Sequence, residues 1–172
     1  MKKIILAMVA VMVPLMLSAG STDFWFRHFS VEDGLSSSAV RAIMQDKYGF
    51  MWLGTDDGLN RYDGTTIKIY RLNPEGVNDY ISFLYDTTDR IWIGTGDGVY
   101  IYDYETENFE PFKLLTAKGD SIKTNVNHIA EDRDGNLWFS TVGQGIFKYN
   151  VSKHYLERYE FKDADGLMAS VL

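Results

Sequence analysis

The 172 residues contain no cysteine, which excludes disulfides and thiolate metal sites. Histidine is scarce. His28, His128 and His154 stand in unrelated positions without ligand spacing, so neither a metal nor any other cofactor is expected. There is no basic stripe either. The formal net charge is −7, and an acidic chain repels a phosphate backbone, so nucleic acid is an unsuitable partner for this segment. After residue 21 the sequence has no long apolar run. No later stretch shows the periodicity of an amphipathic helix, so α-helical and α/β readings find no support.

Two features are abundant. Aromatic residues make up 15% of the chain, with 11 Tyr, 10 Phe and 4 Trp. They favour pleated, half-buried surfaces and hence an all-β fold. The N-terminus reads "MKKIILAMVAVMVPLMLSAGS". Lys2 and Lys3 precede an apolar run over 4–17 and then small residues, the layout of a secretory signal peptide over 1–20. Fourteen apolar residues are short for a bilayer span, although an uncleaved membrane anchor is the alternative. The rest of the chain is expected outside the cytoplasmic membrane.

Internal repetition organises the chain beyond the leader. Trp52, Trp92 and Trp138 lie 40 and 46 residues apart. Six residues before them stand Asp46, Asp86 and Asp132. Nine before stand Ile43, Phe83 and Ile129, and twelve before stand Val40, Tyr80 and Val126. After each Trp comes Gly54-Thr55, Gly94-Thr95 or Ser140-Thr141, then Gly58-Leu59, Gly98-Val99 or Gly145-Ile146, then Tyr62, Tyr102 or Tyr149. The stretch "FSVEDGLSSSAV" from Phe29 returns as "FKDADGLMASVL" from Phe161.

Each repeat reads as four short strands, in the first at about 39–45, 50–54, 59–62 and 66–71, separated by Asp-Gly turns. Four strands per 40–45 residues is the mark of a β-propeller blade. The expected architecture is a partial propeller with blades at about 36–72, 77–113 and 122–161. An outer strand at 24–29 precedes them, and 162–172 begins a further blade. The tryptophans are expected to pack between adjacent sheets. Propellers close with four to eight blades, so three blades point to a segment of a larger ring.

Several tempting motifs fail. "EDRDGN" at 131–136 lacks the glycine and glutamate positions of a calcium loop. "GTGDG" at 94–98 has no following Lys-Ser/Thr and no helix to supply a dipole. Ser36, Ser37 and Ser38 lack a nucleophile context. Residues repeated in every blade belong to the scaffold, and a ligand site should vary between blades. The loops entering the inner strands do vary. Just inside them, Arg41, Ile81 and Asn127 precede Ala42, Ser82 and His128. Arg41, Asn127 and His128 are polar on otherwise apolar strands, and with Tyr80 they form the candidate ligand-binding set.

Val40, Ile43, Asp46, Gly49, Trp52, Gly54, Thr55, Gly58, Leu59, Tyr62, Asp63 and Gly64 together resemble the two-component regulator propeller repeat. The match runs from Phe24 to the C-terminus. The resemblance implies the N-terminal periplasmic part of a hybrid two-component sensor. The remaining blades, a transmembrane helix and histidine kinase domains would be its partners, and a glycan-derived oligosaccharide its ligand. Such a segment is non-catalytic in itself, and contact with the membrane would come only through a downstream helix or an uncleaved leader. The chain departs from the family in lacking kinase and receiver motifs, and in two repeat positions. Residues 86–89 have no turn glycine, and Ser140 replaces the glycine before Thr141. A secreted propeller lyase or glycosidase, or an adhesion scaffold, is the alternative function.

Overall fold

The computed structural model describes residues 26–72 and 79–160. The leader, the first two residues of the expected outer strand and the expected start of a further blade lie outside them.

Twelve strands form among these residues: β1 Val40–Gln45, β2 Met51–Thr55, β3 Gly58–Tyr62, β4 Ile67–Tyr70, β5 Ile81–Asp86, β6 Arg90–Thr95, β7 Gly98–Asp103, β8 Asn108–Pro111, β9 Val126–Glu131, β10 Leu137–Thr141, β11 Gly145–Asn150 and β12 Tyr155–Tyr159. Each consecutive set of four is one antiparallel sheet, paired in chain order. The first strands of the three sheets, β1, β5 and β9, contact one another in succession. This is a partial, unclosed β-propeller of three blades.

Two apolar cores fill the junctions between blades. The first contains Trp52, Leu59, Ile81, Leu84, Ile93 and Tyr102. The second contains Trp92, Val126, Ile129, Phe139, Phe147 and Tyr149. In both, the Trp of one blade meets the β3-type Tyr of the next. Trp52 lies 5.1 Å from Tyr102, and Trp92 lies 5.7 Å from Tyr149, ring centre to ring centre. Each Trp also pairs with an aromatic at the outer edge of its own blade: Trp52 with Tyr70, Trp92 with Phe112 and Trp138 with Tyr159. Such ring pairs add to the area that they bury. Trp138 is only half buried, because no sheet packs on its face among the described residues.

The Gly before Thr sets the distance between blades. A Cβ on Gly54 would lie 2.5 Å from Ile81 Cγ2, and one on Gly94 would lie 3.1 Å from the Val126 carbonyl oxygen. Bare backbone here lets the next inner strand approach. Ser140 takes this position in blade 3, on the face that no sheet covers. The Thr that follows clips the β2–β3 type hairpin. Thr55, Thr95 and Thr141 donate through Oγ1 to the carbonyls of Gly58, Gly98 and Gly145 at 2.9, 3.0 and 2.6 Å.

Residues 26–30 carry no strand. The chain instead turns through a single 3₁₀ turn, Val31–Asp33, held by reciprocal bonds between Ser30 and Asp33. It then lies over the outer face of blade 1. Phe29 meets Tyr62 edge to face at 4.9 Å, Leu35 is buried, and Ser36 N–H donates to Asn60 Oδ1 at 2.9 Å.

Candidate ligand-binding site at the inner-strand entrances

The aspartate six residues before Trp shapes the turn between the first two strands. Asp46 Oδ1 accepts from the backbone N–H groups of Tyr48 and Phe50, and Oδ2 accepts from Trp52 Nε1–H at 2.7 Å. Asp132 does the same with Asp134, Asn136 and Trp138. Those hydrogen bonds, from the Trp138 indole first and then Asn136, hold the Asp132 carboxyl well below the usual carboxylate range. A depressed folded-state value contributes stability that is present above the unfolded value near 4 and lost as pH falls below it. Asp132→Asn is therefore expected to flatten the acid side of the stability profile. Urea midpoints measured between pH 6 and pH 2 check this; an acid limb as steep as the parent's contradicts it.

Asp86 does not occupy the same place. The turn of blade 2 is one residue shorter, because it lacks the glycine. Thr87 N–H donates to the Arg90 carbonyl as Asp46 N–H does to Phe50 and Asp132 N–H to Asn136. Thr87 thus stands where Asp46 and Asp132 stand, and Asp86 matches Gln45 and Glu131. Asp86 accepts instead from Tyr104 Oη at 2.9 Å, and burial raises its pKa.

The same deletion shifts the inner strand. Spacing from Trp aligns Arg41, Ile81 and Asn127, but the ladder aligns Arg41, Ser82 and Asn127. Val40, Ile81 and Val126 pair with Thr55, Thr95 and Thr141, and Ala42, Phe83 and His128 pair with Gly54, Gly94 and Ser140. Between them Arg41, Ser82 and Asn127 are bulged residues without a partner in the ladder. Ile81 is fully buried against Gly54. Tyr80 matches Ala39 and Asn125, since all three carbonyls accept from the β2–β3 type turn.

Arg41 is exposed and forms a two-pronged pair with Asp56, at 2.7 Å from Nε and 3.0 Å from Nη2. That hydrogen-bonded pair raises the Arg41 pKa and lowers that of Asp56. The Arg41 guanidinium lies 6.0 Å from the Tyr80 ring centre. Ser82 Oγ donates to the Val126 carbonyl of the next blade at 2.6 Å. Asn127 and His128 are exposed, and the His128 ring packs in a tilted contact against Phe83, 4.3 Å between ring centres. The structure therefore brings Arg41, Asp56 and Tyr80 into one group. His128 stands with Phe83, and Asn127 is open in its bulge. Asp56 and Ser82 are members that spacing alone misses. Asp56 hides among the repeated turn aspartates, and Ser82 is displaced by the short turn.

His28 lies in the non-strand segment and His154 in a turn at positive φ, its Nδ1 2.9 Å from Tyr149 Oη. Among the described residues no helix is long and apolar enough to cross a membrane.

Similarities to known proteins run along these blades. The family model described as two component regulator propeller matches residues 34–57 and 121–143, which span the first hairpins of blades 1 and 3. Histidine kinase P4 of Formosa agariphila is 56% identical over 59 residues, covering 34% of this chain and 4% of that protein. The extracellular domain of the hybrid two component system BT3049 from B. thetaiotaomicron superposes with a TM-score of 0.68 at 30% identity, over 77% of this chain and 20% of that one. The extracellular domain of BT4673 from B. thetaiotaomicron shares the fold, with a TM-score of 0.61 at 23% identity over 87% of this chain and 24% of its own. The chain thus spans a quarter or less of the length of each of these proteins. Blades 1 and 3 match two-component regulator propeller repeats in their Asp–Trp turns, and all three blades share the fold of the extracellular domains of hybrid two component systems.

Proposed function

We propose that this chain is a ligand-sensing, non-catalytic segment of the extracytoplasmic propeller of a hybrid two-component sensor. It would be exported by the leader at 1–20 and joined to further blades and kinase domains, with a glycan-derived oligosaccharide as ligand. One observation carries the reading. The bulge at the entrance of each inner strand holds a different polar residue, Arg41, Ser82 or Asn127, while the positions around it repeat. Polar groups that differ from blade to blade beside an aromatic such as Tyr80 suit recognition of an asymmetric polar ligand.

Two carboxylates at this end are committed to ion pairs and are not set up as a general acid. Asp56 is held by Arg41 and Asp57 by Arg71 at 2.7 Å, and the pKa of Asp56 is lowered. A general acid requires a raised value.

The test is calorimetric titration of oligosaccharides into the full-length sensor carrying these blades. Arg41→Ala and Asn127→Ala are each expected to weaken binding about tenfold. Unchanged affinity in both variants overturns the reading.

A further inference from the structure

The connection from blade 2 to blade 3 arches over a pocket of its own. It leaves β8 at Phe112, whose N–H donates to the Val99 carbonyl at 2.8 Å. It reverses at 116–120, where Thr116 N–H donates to the Asp120 carbonyl at 2.8 Å and Thr116 Oγ1 accepts from Asp120 N–H at 3.0 Å. It returns through 121–123, clipped by Gln144 of blade 3. Gln144 donates through Nε2 to the Ser121 carbonyl at 3.3 Å and accepts the Lys123 N–H through Oε1 at 2.9 Å. Between the two arms and the β6–β7 turn lies a cavity of about 360 Å³. Phe112, Leu115 and Ile122 give it apolar walls, and Lys113, Lys123 and Asp97 are its charged members.

Two observations point to an occupant. Ser121 is 8% exposed and lines this cavity, yet its Oγ is buried without a hydrogen-bond partner among the described residues. The hydroxyl is not part of the repeated frame. Leu35 and Ile122 are both buried, and the N–H of the residue after each, Ser36 or Lys123, is taken by a side-chain amide. Gly34 therefore stands where Ser121 stands. A buried hydroxyl without a partner is costly, and native interiors satisfy such groups. The other observation is charge. In a chain of net charge −7, Lys113 and Lys123 are both exposed, and neither forms an ion pair among the described residues. Asp97, the acid of the wall, already accepts from Thr95 Oγ1 at 2.8 Å.

We propose that this pocket binds a small carboxylate with an apolar body. The carboxylate lies between Lys113 and Lys123 and accepts from Ser121 Oγ–H, which a turn about one side-chain torsion re-aims. The body lies on Phe112, Leu115 and Ile122. The volume falls in the range of small-ligand pockets, about 300–1,000 Å³. Two lysines against one aspartate favour a monoanion. The apolar walls disfavour inorganic phosphate, which has no apolar surface to bury there. The site shares no lining residue with the entrance group of Arg41, Asp56 and Tyr80 and is independent of it.

The experiment titrates benzoate, phenylacetate and hexanoate into the full chain by calorimetry and saturation-transfer NMR up to ~10 mM. The corresponding alcohols keep the body without the charge, and acetate and inorganic phosphate keep a charge without the body. At least one of the three acids is expected to saturate a single site, with its alcohol, acetate and phosphate about tenfold weaker or worse. The double variant Lys113→Gln/Lys123→Gln removes both charges at exposed positions, and Ser121→Ala removes the hydroxyl. Each is expected to weaken binding about tenfold. If Ser121→Ala does not fold, as judged by its near-ultraviolet dichroism, the lysine variant decides. Absence of saturable binding overturns the assignment. So does equal affinity for the alcohol or for phosphate, or affinity unchanged in both variants. Binding that is lost in Arg41→Ala and kept in the lysine variant belongs to the entrance and also overturns it.

Discussion

Trp52→Ala is expected to lower the unfolding free energy by about 3–5 kcal/mol, whereas Trp138→Ala, the same position two blades on, costs about 1–2 kcal/mol. Trp52 is fully buried between two sheets, in contact with Tyr70, Tyr102 and Phe109. Its removal empties the centre of the first junction core. It also takes away the indole donor from Asp46, a buried carboxylate that then lacks one of its partners. Trp138 keeps the corresponding bond to Asp132 but loses less on truncation. It stacks only on Tyr159 of its own blade and carries Lys148 Nζ at 4.9 Å from its ring centre. Paired urea titrations of the two variants measure the difference. Equal losses would show that the sheet on the far side contributes nothing.

Gly54→Val is the second large effect, with an expected cost of about 1–3 kcal/mol from overpacking. The added Cβ would lie 2.5 Å from Ile81 Cγ2, 2.9 Å from Ile81 Cβ and 3.3 Å from Ala42 Cβ. Ile81 is fully buried and fixed in β5, so it cannot swing aside, and the relief available is separation of the blades. The coupling is testable in a double-mutant cycle with Ile81→Ala, which removes the atom met most closely. The pair is expected to be less destabilised than the sum of the single variants. Strict additivity would show that Gly54 is not what sets the approach of blade 2.

Much of this was legible in the sequence because the scaffold repeats. Strand existence, strand order and the Trp between sheets all follow from residues that recur at fixed spacing. Other features have no such regularity. The outer-edge aromatics Tyr70, Phe112 and Tyr159 sit at unequal distances after their tryptophans, because the outer turns differ in length, and so they escape alignment. Asp86 shows the converse failure. It keeps the six-residue spacing from Trp92, but the turn between β5 and β6 is one residue shorter, so this spacing reaches back past the turn to the last residue of β5. The ladder absorbs the loss by moving Thr87 into the aspartate's place and Ser82 into the bulge. Spacing counts residues along the chain, whereas the ladder counts hydrogen-bonded pairs, and a shortened turn separates the two. The entrance residues were visible as polar exceptions on apolar strands. Their grouping was not, since it depends on Asp56, a turn aspartate that spacing cannot tell from its neighbours.

The bulges also separate side-chain identity from strand register. Arg41 and Asn127 stand outside the hydrogen-bonded ladder, so a change of side chain there leaves strand register untouched. Ser82 is the partial exception, since it also ties two blades together. The blades therefore separate inheritance into two layers. Glycine, threonine, tryptophan and tyrosine hold the frame and tolerate little. The bulge residues of blades 1 and 3, Arg41 and Asn127, can be rewritten singly without disturbing that frame.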